Sequence, residues 1–231
     1  MDWLRIRPCL VAGFVAAVLG CSAGPGVRAA ADPSFPGSLH GVAAASSTDA
    51  WAVGFTSPPG GRNYTLILHW NGTAWSRVAS PSPGASSELL GVSATAPASA
   101  WAVGQYCTFA CGTSSATWNA LIMHWNGTAW SRVASPGPNA TMGTLFSVSA
   151  TSSTNAWAVG AASTSPQDLI VHWNGTTWFR VAGPSPGPHA GLLAVTATSA
   201  TNAWAVGDYS TPAGQPRTLI LHWNGTNWSR A

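Results

Sequence analysis

Charged side chains are scarce in this 231-residue sequence: they make up 6% of it, and lysine is absent altogether. An ordinary globular domain carries about 25% charged residues. Apolar groups are nevertheless abundant, with 14 Trp among 46% hydrophobic residues. The chain therefore has enough apolar surface to bury, and its composition excludes a disordered protein.

Clusters of positive charge are lacking as well. After residue 31 the sequence contains six arginines and five acidic residues, a net charge of +1, and the arginines are spread along the chain. A nucleic-acid interface needs basic residues gathered on one face. We therefore expect no nucleic-acid partner.

Cysteine is rare, with four residues in all. Only Cys107 and Cys111 lie beyond the N-terminal segment, and both fall in one loop. In an exported protein two such thiols are expected to pair, so we predict a disulfide between them. The sequence offers no further ligands beside them, and we predict neither a metal site nor a cofactor.

The N-terminus has the layout of a secretory signal: Arg5 and Arg7 precede an apolar stretch at residues 10–19. That stretch is too short for a convincing membrane span. Two kinds of processing are open, namely a signal peptide of residues 1–31 cleaved before Asp32, or a lipoprotein signal ending before Cys21, which would then carry a lipid anchor. Both predict export, to the extracellular medium or to the cell surface. Residues 32–38 would form a linker.

The rest of the sequence is one unit repeated four times. The first Val of each unit stands nine residues before a Trp, and an invariant His-Trp-Asn-Gly-Thr motif follows; the Val and Trp pairs are 42 and 51, 92 and 101, 148 and 157, and 195 and 204. A fixed period of this length is typical of repeat folds. We predict four repeats, at about residues 39–82, 89–138, 145–186 and 192–231.

Each repeat predicts four strands, which we label A (as in LLGVSA), B (AWAVG), C (LILHW) and D (TAWSRV). The apolar runs are short or alternating and are bounded by Ser, Gly, Pro and Asn, a pattern of strands rather than helices. Asn-Gly between strands C and D favours a two-residue type I′ turn. That turn would pair Trp70 with Thr73 and Leu68 with Trp75, and would place His69 on the opposite face.

Strand AWAVG followed by a hairpin ending in Trp resembles the repeats of exported, actinobacterial-type β-propellers related to the kelch, galactose-oxidase and BNR (Asp-box) groups. The resemblance covers residues 39–230. HWNGTAW is one residue shorter than the Asp-box pattern S-x-D-x-G-x-x-W between Asp and Trp, so the resemblance implies the fold and no functional residue. The implied fold is an all-β propeller of four four-stranded blades, either a closed monomeric ring or an open partial propeller that forms a homodimer.

Residues that recur in every blade are interpreted as structural. The four His, at 69, 124, 172 and 222, lie too far apart across the blades to share a metal ion, and we predict a hydrogen bond for each. The paired Trp of each hairpin are expected to pack between blades, with the repeated Arg side chains over them. Asp49, Asn155 and Asn202 precede strand B, where they would cap the A–B turn by bonding to backbone.

The length of the B–C connection differs between the blades: the distance from the Trp of strand B to the His of strand C is 18, 23, 15 and 18 residues. In a propeller the B–C and D–A loops emerge on one face, which is often the binding face. We therefore predict a non-catalytic binding module for a glycan or an extracellular protein. The candidate ligand-binding residues are Arg62, Tyr64, Tyr106, Trp118, Asp208, Tyr209 and Arg217.

Two alternatives remain open. The first is an extracellular hydrolase or lyase that uses Asp168 and Asp208, because glycoside hydrolysis needs two carboxylates. The other acidic residues after position 31, namely Asp32, Asp49 and Glu88, are predicted to be linker or turn residues. The second alternative is a purely structural repeat protein.

Overall fold

The computed structural model describes residues 35–136, 143–162 and 167–231, which fall within one compact unit of residues 31–231. The predicted signal peptide and the lipidation site at Cys21 lie outside the described residues. Within the described ranges, no helix is long and apolar enough to cross a membrane.

Sixteen strands are found in the described part of the chain, and they form four antiparallel sheets of four strands in chain order. Blades one and two comprise β1 (Ser38–Ser46), β2 (Asp49–Thr56), β3 (Tyr64–Trp70), β4 (Trp75–Val78), β5 (Ser86–Ala96), β6 (Ser99–Phe109), β7 (Thr117–Trp125) and β8 (Trp130–Val133). Blades three and four comprise β9 (Gly143–Ser152), β10 (Asn155–Ala162), β11 (Asp168–Trp173), β12 (Trp178–Arg180), β13 (Gly191–Ser199), β14 (Asn202–Ser210), β15 (Pro216–Trp223) and β16 (Trp228–Arg230). Each blade is one contiguous segment of chain.

The four sheets stack as propeller blades. The A strands of successive blades pack side by side, and strands B and C of one blade pack against strand A of the next. Hydroxyl groups join the inner strands: Ser93 Oγ accepts from the Ala150 amide and Ser149 Oγ from the Ala197 amide, both at 3.0 Å. The chain is therefore an all-β propeller array of four four-stranded blades, as the sequence predicted.

Tryptophan fills the space between blades. Trp51, Trp101 and Trp157 on the B strands are at most 1% exposed, and each packs against two Trp of the following blade. The first Trp of every hairpin is also held within its own blade, because its indole nitrogen donates to a carbonyl of the A–B turn at 2.9–3.2 Å. The predicted role of the hairpin Trp in inter-blade packing is confirmed for blades two, three and four, whereas Trp70 and Trp75 of blade one pack on no other described blade.

The predicted register of the C–D hairpin is wrong by two residues. Trp70 pairs with Trp75, so the loop contains four residues, 71–74. Asn71 Oδ1 accepts hydrogen bonds from the amides of Thr73 and Ala74 at 2.9 and 3.0 Å, which stabilises the longer loop. Among these loop residues only Gly72 has a positive φ, 90°, whereas a type I′ turn needs two. A shift of two residues leaves every side chain on its predicted face.

The glycine that ends each AWAVG motif lies against strand A. A Cβ on Gly104 would stand 2.0 Å from the Glu88 carbonyl oxygen, and one on Gly54 would stand 1.8 Å from that of Ser38. Strand A shifts its register beside this glycine, between Leu89 and Gly91 in blade two. Close backbone approach therefore explains why the glycine recurs in all four blades.

In the part of the chain that the structure describes, the array is open at both ends. The described strands of blades one and four do not pack together as those of successive blades do. Val42 on strand A of blade one is 71% exposed, and Trp204 on strand B of blade four is 39% exposed. Of the two arrangements that the sequence left open, the described residues therefore form the unclosed one.

Candidate functional site

A cleft of about 520 Å³ lies between blades one and two on the face of the B–C and D–A loops. Arg62 and Asn63 of the first B–C loop form one wall, and Phe109 and Trp118 of blade two form the other. Glu88, from the start of β5, also lines the cleft. Two of the candidate ligand-binding residues, Arg62 and Trp118, are therefore brought to one place.

A disulfide shapes the wall in blade two. Cys107 and Cys111 are bonded, which confirms the predicted pair. Cys107 is buried at the end of β6, opposite Trp118 of β7. The short turn that it closes carries Phe109, whose ring is 69% exposed. The disulfide therefore restrains the turn that exposes the Phe109 ring to solvent, close to the ends of β6 and β7.

Glu88 is the centre of a hydrogen-bond network that crosses three blades. Its Oε1 accepts from Asn63 Nδ2 at 2.6 Å, and its Oε2 accepts from Gln105 Nε2 at 3.0 Å. Thr144 of blade three in turn donates to Gln105 Oε1 at 2.5 Å. The half-buried Glu88 carboxylate forms no ion pair with any described residue. Each oxygen keeps a lone pair that can accept from a ligand hydroxyl.

The prediction that Glu88 is a linker or turn residue is wrong. Strand β5 begins at Ser86, earlier than the repeat pattern indicates, and Glu88 pairs with Gln105 within the sheet. The positions equivalent to Glu88 in the other blades are occupied by Ser38, Thr144 and Gly191. Glu88 is therefore a charged residue at a position where the other three blades have an uncharged one. This departure from the repeat is a signal that could have identified Glu88.

The candidate tyrosines of blades one and two lie elsewhere. Tyr64 lines a neighbouring groove of about 850 Å³ together with Arg77. Tyr106 is buried: the Arg132 guanidinium carbon stands 4.5 Å from its ring centroid, and Arg132 Nη2 donates to the Tyr106 hydroxyl at 2.5 Å. Tyr106 thus belongs to the core between blades one and two and does not line the cleft.

Blade four repeats this pairing at its own B–C face. Arg230 lies over Tyr209, 5.2 Å from the ring centroid, and donates to its hydroxyl at 3.3 Å. Arg217 lies opposite Tyr209 across β14 and β15, and Asp208 is exposed beside them. The repeated Arg was predicted to cover Trp, but in blades two and four it covers Tyr, which offers a hydroxyl acceptor as well as a π-face.

The two acidic residues of the enzyme hypothesis lie in different environments. Asp168 begins β11 in blade three, is 2% exposed, and has side-chain oxygens without a described hydrogen-bond partner. Its backbone carbonyl accepts from Arg180 Nη2 at 2.9 Å. Asp208 instead lies on the exposed β14 of blade four.

The repeated His residues form the predicted hydrogen bonds in three blades. His Nε2 donates to Asp49, Asn155 or Asn202 at 2.6–2.8 Å, so these acceptors bind a side chain instead of capping the turn through backbone. Each His ring also lies 4.1–4.3 Å from the Trp of strand B. In the described ranges, no group of three or more His, Cys, Asp and Glu side chains could hold a metal ion.

No protein-family model matches the chain, and no curated protein matches it. Similar solved structures include YCF48 bound to D1 peptide, with 12% identity, a TM-score of 0.44, and coverage of 85% of this chain and 83% of that one. A GH74 xyloglucanase from Xanthomonas campestris has 12% identity and a TM-score of 0.41, covering 83% and 38%. A mutant GH32 β-fructofuranosidase of Bombyx mori in complex with sucrose has 8% identity and a TM-score of 0.47, covering 84% and 49%.

The chain thus spans less than half the length of the two glycoside hydrolases. All three are β-propeller-type proteins. At these scores the likeness carries no argument about what this chain binds or does.

Proposed function

We propose that the chain is an exported, non-catalytic binding module that holds a glycan in the cleft between blades one and two. The observation that carries the proposal is the 69% exposed ring of Phe109, held by the disulfide beside a Glu88 carboxylate that has no described ion-pair partner. Export would place the protein outside the cytoplasm, where this disulfide persists.

The cleft combines the two kinds of group that a sugar needs. The C–H face of a pyranose is apolar and packs on aromatic rings such as Phe109 and Trp118. Its hydroxyls donate to carboxylates and accept from amides and guanidinium groups, which Glu88, Asn63 and Arg62 supply.

The polar groups of the cleft are held in place before a ligand arrives. Ser57 Oγ donates to Asn63 Oδ1 at 2.5 Å, and Asn63 and Gln105 hold the Glu88 carboxylate from two sides. Preorganisation of this kind lowers the entropic cost of binding. Among the described residues that line the cleft Glu88 is the one carboxylate, which favours binding over a two-carboxylate hydrolysis.

A glycan array probed with the purified chain, followed by calorimetric titration of each positive sugar, tests the proposal. We expect Phe109→Ala and Trp118→Ala each to weaken binding by about tenfold or more, as for aromatic anchors at an interface centre. Glu88→Gln keeps the shape of the side chain and should weaken binding by removing the charged acceptor.

Phe179→Ala is the matched control, because Phe179 is another exposed aromatic residue, on β12 of blade three. Asp208→Asn is a second control and should retain binding. Thermal melts of each variant separate lost binding from lost folding. The glycan proposal fails if no sugar binds saturably, if the cleft variants bind like the controls, or if the cleft takes up a peptide and no sugar.

A further inference from the structure

Successive blades meet through one repeated contact of three Trp rings, which we call the blade joint. Trp51 of blade one packs against Trp125 and Trp130 of blade two, with ring centroids 4.9 and 5.2 Å apart. The same joint forms twice more, by Trp101 with Trp173 and Trp178 and by Trp157 with Trp223 and Trp228, at 4.8–5.1 Å. The same three Trp positions therefore form the same contact at each of the three boundaries between described blades.

We call the strand-B Trp of a joint its donating half and the Trp pair of the next blade its receiving half. Blade four presents the donating half of a further blade joint, and no described residue of a following blade packs on it. Trp204 stands at the position of Trp157 but is 39% exposed, whereas Trp157 is fully buried. Val206 and Ile220 beside it are 44% and 45% exposed. Terminal repeats of stable arrays usually carry a polar outer face, whereas the outer face of blade four, the last described blade, has the apolar residues of an internal blade.

Blade one presents the receiving half. Its Trp70 and Trp75 rings are 5.9 Å apart with an interplanar angle of 46°. In blade two the receiving pair, Trp125 and Trp130, has values of 6.0 Å and 43°. The receiving pair therefore has the geometry of an internal joint although no described Trp of a preceding blade packs on it.

The groove beside this pair is apolar as well. It has a volume of about 440 Å³, and Leu39, Val42, Leu68 and Trp75 contribute to its lining. Val42 is 71% exposed, whereas Val92, at the same position in blade two, is 9% exposed because blade one covers it. The two ends of the array are therefore apolar and uncovered by another described blade, although Phe35 packs beside Leu68 and Trp75 on part of the face of blade one.

We infer that a second copy of this chain completes both halves, so that two chains meet head to tail through two further blade joints and close a ring of eight blades. Blades one and four of one copy do not cover each other in the described residues. A second copy covers both faces with a contact that the chain already forms three times. Head-to-tail contacts close into a ring when the rotation fits, and eight blades lie within the known range of about four to eight.

Size exclusion coupled to light scattering tests the inference on the purified chain. We expect twice the chain mass, and a charge placed on either end face should give a monomer. Val42→Glu blocks the receiving face and Val206→Glu blocks the donating face; both side chains are exposed in the single copy, so neither substitution disturbs the packing of its own blade. Val42→Ser is a milder variant if Val42→Glu folds poorly, and Phe179→Glu, a charge away from both faces, should remain a dimer.

Mixing the two Glu variants distinguishes a head-to-tail contact from a symmetric one. Val42→Glu retains its donating face and Val206→Glu its receiving face, so the mixture should recover a dimer held by a single joint. The inference is overturned if the unaltered chain stays monomeric at every concentration, if Val42→Glu alone still dimerises, if the mixture does not associate, or if masses above the dimer show open polymers. None of these outcomes depends on a ligand, so the inference stands or falls separately from the proposed function.

Discussion

At the scale of single residues, the hydrogen-bond acceptor of the repeated His differs between blades, and a neighbouring residue on strand A explains the difference. In blades three and four an Asn accepts from the His and donates its Nδ2 to a Thr of strand A, Thr151 or Thr198, at 2.7 Å. Blade one has Ala45 at the Thr position, and there the acceptor is Asp49. A carboxylate has no N–H group, so Asp49 does not need the acceptor that Thr provides in the other blades. The sequence showed the recurrence of these positions but not the side chains that they join, because the contact crosses three strands.

Blade two lacks this network although its Thr is present. Ser99 occupies the Asn position, and its buried hydroxyl has no hydrogen-bond partner. Ser99→Asn should supply bonds to both His124 and Thr95 and raise the free energy of unfolding by about 0.5–1.5 kcal/mol for each bond gained. Denaturant melts measure the change, with Asn155→Ser as the reverse substitution in blade three. A less stable Ser99→Asn variant would contradict this account.

Burial of two of these His residues makes stability depend on pH. Desolvation lowers the pKa of His124 and His172 in the folded chain. Protons then bind the unfolded chain more strongly, so this contribution to stability is complete above the ordinary His pKa of about 6.5 and is lost as the pH falls from there through the lowered pKa of the folded chain. We expect the melting temperature to drop on acidification below that pH.

His124→Phe keeps an aromatic ring on Trp101 and should make the acid decline shallower. Phe109→Leu, at an exposed position that carries no titratable group, is the control and should leave the profile as it is. Melting curves recorded across this pH range measure both, and identical profiles for His124→Phe and the unaltered chain would disprove the assignment.

At the scale of strands and hairpins, periodicity was sufficient to identify all sixteen strands of the described chain and to assign their faces. It did not determine the length of the C–D loop, because Asn-Gly occurs both in two-residue turns and, as here, in a four-residue loop that the Asn71 side chain stabilises. Local backbone chemistry, and not the hydrophobic pattern, decided between the two.

The glycine of each AWAVG strand offers a test of how closely strands A and B approach. A Cβ on Gly160 would lie 1.9 Å from the Thr144 carbonyl oxygen. Because backbone must move to make room, we expect Gly160→Ala to lower the free energy of unfolding by about 1–3 kcal/mol. Gly191→Ala is the control, since its Cβ would meet only the Ala161 methyl at 3.5 Å. Equal stability of the two variants in chemical melts would refute the close approach.

At the scale of the whole molecule, the repeats predicted the array but not the cleft. Arg62 and Trp118 line one cleft because two loops of different length face each other across a blade boundary, and loop conformation has no period from which to predict it. Glu88 was assigned to a linker or turn because the repeat pattern does not show that β5 begins at Ser86. The sequence likewise did not show that Phe109 lines the cleft or that Tyr106 lies buried under Arg132.

Unequal packing of the blades should appear in hydrogen exchange. Blades two and three have neighbours on both sides, whereas blade four has one described neighbour. In monomeric Val42→Glu we expect amides of β14 and β15 to exchange faster than their equivalents in β6 and β7, because terminal repeats open at lower cost. The difference should narrow in the unaltered chain if it dimerises as inferred above. Uniform protection in the monomer would contradict the uncovered face on blade four.

The open end faces of blades one and four also affect how strongly the protein would bind a surface that displays its ligand. Head-to-tail addition keeps every blade in the same orientation about the ring axis, so the clefts of two copies would open on the same side. A surface that displays many copies of one sugar could then engage both clefts at once, and the second contact would form at the high effective concentration set by the rigid ring. Avidity would thus arise from the end faces, and Val42→Glu would weaken attachment to a dense glycan layer while leaving the affinity for a single soluble sugar unchanged.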